Sequence, residues 1–140
     1  MKKILMLYAA ILTAAGFAVV LLGPRPALLL MLGAIALMAL MISGTFFWLW
    51  RVRATPLALG MSLSWAGSGL TLGWLWGVQS AEAATRSGDL AALFAFLSLL
   101  MAGAVLHFSV IQGTFGFSGL RFLWPVLGAW SVSFGVLLLF

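Results

Sequence analysis

Apolar residues fall along this chain in five long runs separated by short polar breaks, at 4–22, 27–50, 57–78, 90–111 and 122–140. Each run approaches the ~20 apolar residues that a helix needs to cross a membrane. The breaks carry the chemistry of helix ends. Gly23-Pro24-Arg25-Pro26 closes the first run, because it cannot continue a helix. Arg51-Val52-Arg53 closes the second. Thr55 suits the N-cap of the third helix and Pro56 its first turn. Asp89 suits the N-cap of the fourth, and Pro125 is tolerated in the opening turn of the fifth. The pattern predicts an all-α integral membrane protein, a single domain over 1–140 with five transmembrane helices in one bundle.

Composition points the same way. Of 140 residues, 65% are hydrophobic and 6% charged, and the mean hydropathy is +1.25. A soluble domain carries about a quarter charged residues. Seven basic and two acidic side chains cannot solvate the surface of such a chain in water. The net charge of +5 sits at the edges of the apolar runs, which is topology-setting charge and not a nucleic-acid footprint. With the N-terminus inside, Lys2, Lys3, Arg51, Arg53 and Arg121 are inner and only Arg25 and Arg86 are outer. The positive-inside rule therefore predicts N-in and C-out, in the inner membrane of a bacterium. Met1-Lys2-Lys3 and the run behind it resemble a signal peptide, with Gly16-Phe17-Ala18 as a small-residue cleavage site. The run continues through Leu22, long enough to span, and reads as the first membrane helix. The absence of cysteine excludes disulfides and thiolate chemistry.

Residues 66–77, AGSGLTLGWLWG, hold four glycines in twelve positions and approach a dinucleotide fingerprint. That fingerprint needs a strand before it, a helix opening into water and an acid about twenty residues on. Here the glycines lie inside an apolar run, and the next acid is Glu82. Helix packing accounts for the spacing better. At about 100° per residue, Gly60, Ser64, Gly67 and Thr71 form one stripe of the third helix. Ser62, Gly69, Gly73 and Gly77 form a stripe on roughly the opposite side. Small residues let helices approach closely in lipid, so two such stripes predict a central helix with neighbours on both sides.

His107 is the single histidine, about 25 Å along its helix from Leu90 and so near the inner interface. It shares a face with Phe96, Leu100 and Gly103, which turns it toward a neighbouring helix. Hydrogen bonding to a carbonyl or headgroup is the plain reading; ligation of a haem or chlorophyll metal and proton relay are the sharper ones. Trp48, Trp50, Trp74, Trp76 and Trp124 occupy aromatic-belt positions. Trp65 and Trp130 lie deeper, where an indole N–H needs a partner, and are candidates for contact with a bound lipid, quinone or pigment. Glu82 and Arg86 stand at i, i+4 in the longest loop, and Phe115 and Phe117 suit a headgroup-layer loop.

No Asp, Glu, Lys or Arg lies within a run, and no titratable pair is spaced for acid–base catalysis. Ser109 is close to His107 in sequence but does not face it. The expectation is a chain that is not an enzyme, with no cofactor or metal required. In span number, length and tryptophan content it resembles the tryptophan-rich sensory proteins. Their tryptophan–proline-rich first loop is replaced here by GPRP, and the paired acid of small multidrug transporters is missing. The sequence favours a non-catalytic subunit, or a stabilising partner, of a larger respiratory, photosynthetic or transport complex. Its partners are then other integral membrane subunits and membrane lipids, with no nucleic acid. The alternative is a small homo-oligomeric carrier or channel for a neutral or lipophilic substrate, with Ser62, Ser64, Ser68 and Thr71 as a polar seam.

Overall fold

The computed structural model describes residues 2–81, 87–114 and 123–139, with side chains over 2–81, 90–111 and 123–139. Five helices follow in order: α1 (Lys2–Leu22), α2 (Pro24–Arg53), α3 (Pro56–Ala81), α4 (Ser87–Thr114) and α5 (Leu123–Leu139). Three are long and apolar enough to cross a membrane, namely α1, α2 and the Leu90–Ile111 part of α4, which supports a transmembrane protein. α5 is apolar but shorter, at 17 residues. α3 has the length, with 26 residues, but its glycines, serines and tryptophans lower its hydropathy.

The helix ends correct several expectations. α2 begins at Pro24, not at Ala27. Pro24 and Pro26 sit in its first turn, where a missing N–H costs nothing because no carbonyl waits for it. The break between α1 and α2 is Gly23 alone, with φ 87° and ψ 165°. α4 begins at Ser87, so Asp89 lies inside the helix and is not its N-cap. The Glu82–Arg86 spacing, Phe115, Phe117 and Arg121 fall outside the described residues. At the α2–α3 turn, Ala54 adopts the left-handed conformation (φ 47°, ψ 33°), and its N–H bonds the Trp50 carbonyl at 2.6 Å. The Thr55 carbonyl then accepts from the N–H groups of Ala58 and Leu59, so Thr55 holds the expected N-cap position and Pro56 opens the first turn of α3.

The helices form an open row and not a closed bundle. Among the described residues, α2 packs on α3, α3 on α4, α1 only on α2 and α5 only on α4. α3 is the centre of the row. The buried residues are small: Ala27, Gly33, Ala36, Ala39 and Ser43 on α2, then Ala58, Gly60, Ser62, Gly67 and Gly69 on α3, and Gly103 on α4. Among the described residues no large side chain is fully buried, while leucines, isoleucines and phenylalanines crowd the exterior. This distribution suits lipid. Large apolar groups gain little by leaving hydrocarbon, so helices associate where small residues let backbones meet.

Candidate functional site

The two small-residue stripes of α3 meet different helices. On the first, a Cβ built at Gly67 would stand 2.5 Å from the Leu100 backbone nitrogen and 2.8 Å from the Phe96 carbonyl oxygen. A Cβ at Gly60 would stand 3.1 Å from the Leu106 Cβ and 3.4 Å from the Gly103 oxygen. From the other side, a Cβ at Gly103 would collide with the Ser64 hydroxyl oxygen and lie 2.5 Å from the Ser64 nitrogen. The α3–α4 contact is therefore backbone against backbone, and Gly60, Ser64, Gly67 and Gly103 make it. Thr71, on the same stripe, turns its hydroxyl back to the Gly67 carbonyl at 2.8 Å.

The second stripe faces α2. The Ser43 hydroxyl donates to the Ser62 carbonyl at 2.8 Å, and the Ser62 hydroxyl donates to the Ser43 carbonyl at 3.1 Å. Both serines are buried. A Cβ at Gly69 would meet the Leu40 side chain at 2.9 Å and its nitrogen at 3.1 Å, whereas one at Gly73 would touch only the Ala36 Cβ, at 3.9 Å. A Cβ at Gly77 would find nothing within 4 Å, so this glycine stands beyond the α2 contact. The neighbouring close approach is made instead by Gly33, which seats the Trp76 indole.

His107 lies in the α3–α4 seam. Its Nδ1 is 3.5 Å from the Ser64 hydroxyl oxygen, the outer limit of a hydrogen bond. Its Cδ2 would be 3.5 Å from a Cβ at Gly60. Its Nε2 is buried with no hydrogen-bond partner among the described residues. The arrangement is a packing contact that leaves one imidazole nitrogen able to bond or ligate once more. Among the described residues, no three His, Cys, Asp or Glu side chains cluster as a metal set.

Trp65, Trp130 and His107 are not gathered into one site. Trp65 is turned about 100° round α3 from Ser64 and is 36% exposed on the flank of the row. Trp130 is 58% exposed. It lies on α5, in a groove with Met101, Val105 and Phe108, on a side of α4 away from His107. The hydroxyls divide in the same spatial sense. Thr13, Thr45, Ser98 and Ser131 are exposed and bond carbonyls of their own helices, while Ser43, Ser62 and Ser64 reach across to a neighbour.

Sequence reasoning missed Ser43 and the Gly33–Trp76 seat. The available signal was the spacing of Gly33, Ala36, Ala39 and Ser43, small residues three or four apart on α2. It also treated the Ser64 stripe and the His107 face separately, although they run antiparallel and meet at that pair. Compared with family models, curated proteins and solved structures, the chain matches none.

Proposed function

We propose that this chain is a non-catalytic polytopic subunit, or stabilising partner, of a larger membrane protein complex. The observation that carries the reading is the open row: α1 has no buried residue and touches only α2, and α5 touches only α4, among the described residues. The row of described helices encloses no pathway. It offers broad lateral faces instead, and α1 and α5 are the elements free to dock on other subunits.

The reading includes five crossings, N-terminus inside and C-terminus outside, in the cytoplasmic membrane of a bacterium. Lys2, Lys3, Arg51, Arg53 and Arg121 then lie on the inner side. The carrier alternative has less support. The hydroxyls of Ser62 and Thr71 are bonded to backbone carbonyls, and Ser64 faces His107 inside a helix seam. A transport path would need those groups for its substrate.

The test uses the absence of native cysteine. A single Ile11→Cys variant places a thiol on the exposed side of α1. It is crosslinked in native membranes, extracted in mild detergent, resolved on a native gel and identified by mass spectrometry. Crosslinks to the same larger membrane subunit that co-migrates on the gel are the expected result. A band holding only this chain, with transport activity after reconstitution, overturns the proposal in favour of the carrier.

A further inference from the structure

A cleft of about 610 Å³ lies at the α2–α3 turn. Phe46 and Leu49 of α2, Ala58 and Met61 of α3, and Val110 of α4 wall it, and Thr55 stands at its turn end. The cleft has the volume of a small-ligand site, for which about 300–1,000 Å³ is usual. Its walls are apolar, so they select hydrocarbon. Phe46, Leu49 and Arg53 follow at i, i+3 and i+7, which puts Arg53 on the same face of α2 as the two cleft-lining residues, at the end of the helix. Arg53 is exposed in the last turn of that helix. The only side-chain carboxylates in the chain are Glu82 and Asp89. Both follow the far end of α3, whose 26 residues span about 39 Å. Among the described side chains there is no carboxylate to compete for Arg53.

We propose that this cleft binds an anionic phospholipid, with one acyl chain between Phe46, Leu49, Met61 and Val110 and the phosphate on Arg53. A guanidinium presents a planar fork of donors that matches phosphate oxygens. Charge and hydrocarbon are offered side by side at the end of a helix hairpin, which is where a headgroup and its first acyl carbons lie. A free phosphate would use the arginine and leave the apolar walls unfilled, so the membrane lipid is the source assigned. The proposal requires the α2–α3 turn to lie at a membrane surface and does not depend on membership of a complex.

Native mass spectrometry of the detergent-purified full chain tests it. The probes are phosphatidylglycerol and phosphatidylcholine with identical acyl chains, and inorganic phosphate in a third arm. Expected is retention of one phosphatidylglycerol in preference to phosphatidylcholine, with no competition from phosphate. Arg53→Ala should lower that retention roughly fivefold. Arg51→Ala, on another face of α2, should leave it unchanged, and Met61→Trp should reduce retention of both lipids by filling the cleft. Circular dichroism melts identify any variant that has lost its fold, and Leu57→Trp, at the exposed rim, replaces Met61→Trp in that case. Equal retention of the two lipids by the wild type overturns the proposal. Equal losses in Arg51→Ala and Arg53→Ala also overturn it, because diffuse charge and not a site would then hold the lipid.

Discussion

Ser43 and Ser62 each donate a hydroxyl hydrogen to the other's backbone carbonyl, at 2.8 Å and 3.1 Å, across the α2–α3 contact. A helical carbonyl already accepts from its own helix but keeps a second lone pair, and that is where each hydroxyl binds. Alanine at either position keeps its carbonyl, so the other serine's bond survives, and the two hydroxyls are coupled through the 3.4 Å contact between their oxygens. A double-mutant cycle with Ser43→Ala and Ser62→Ala should therefore give a non-additive coupling of about 0.6 kcal/mol, with about 1.7 kcal/mol as the ceiling seen for such bonds in membranes. Unfolding of the four proteins in mixed detergent measures it. Additive losses would mean that the pair does not act as a clasp.

Gly67 and Gly73 belong to opposite stripes of α3 and differ in what an added methyl would meet. At Gly67 it meets backbone atoms of α4 at 2.5 Å and 2.8 Å, which cannot rotate away. At Gly73 it meets one methyl at 3.9 Å, an ordinary contact. Gly67→Ala should destabilise by about 1–3 kcal/mol through overpacking. Gly73→Ala should be neutral or stabilising, since alanine has about 1 kcal/mol of helix propensity over glycine. Thermal melts of the two variants in one detergent decide the matter, and equal effects would contradict the placement of α4 against Gly67.

How far the residues foretell this arrangement varies by element. The helices are legible because apolar runs of membrane length leave few other structures open to the chain. Their ends are not, since Pro24 and Pro26 read as a break and yet suit a first turn. The small stripes of α3 are legible from spacing alone, but spacing carries no sign of where the neighbour stops, so Gly77 continues a stripe that has run past its contact. Helices apolar on every side do not announce which side faces a neighbour, and so the open row could not be told from a bundle. The Ser43–Ser62 and Ser64–His107 pairs depend on the register between helices, which no local pattern encodes.

The two turns at the ends of α2 make opposite demands on a side chain. Gly23, with φ 87° and ψ 165°, occupies a region essentially reserved for glycine. Gly23→Ala should cost about 1–3 kcal/mol and loosen α1 from the row. Ala54 is left-handed with a Cβ it would do better without. Ala54→Gly should gain about 1 kcal/mol, the strain an L-residue carries there. Equilibrium unfolding of both variants checks the signs, and the idea fails if Ala54→Gly is the more harmful of the two.

His107 sets the last expectation. Its Nε2 is buried with no hydrogen-bond partner among the described residues, and its Nδ1 reaches Ser64 only at 3.5 Å. A buried polar group without a partner costs about 1–3 kcal/mol, while a contact at the limit of hydrogen bonding returns little. Leucine has a similar volume and no polar atom to satisfy. The Ser64 hydroxyl left behind can turn to the carbonyl four residues back, as Thr71 does to Gly67. His107→Leu should then leave stability unchanged or raise it. The comparison is thermal unfolding of the variant and the wild type, both extracted from native membranes so that any natural ligand travels with the protein. A clear loss of stability in the leucine variant would mean that Nε2 has a partner in the membrane, and an accompanying loss of a visible absorbance band would identify that partner as a pigment or haem.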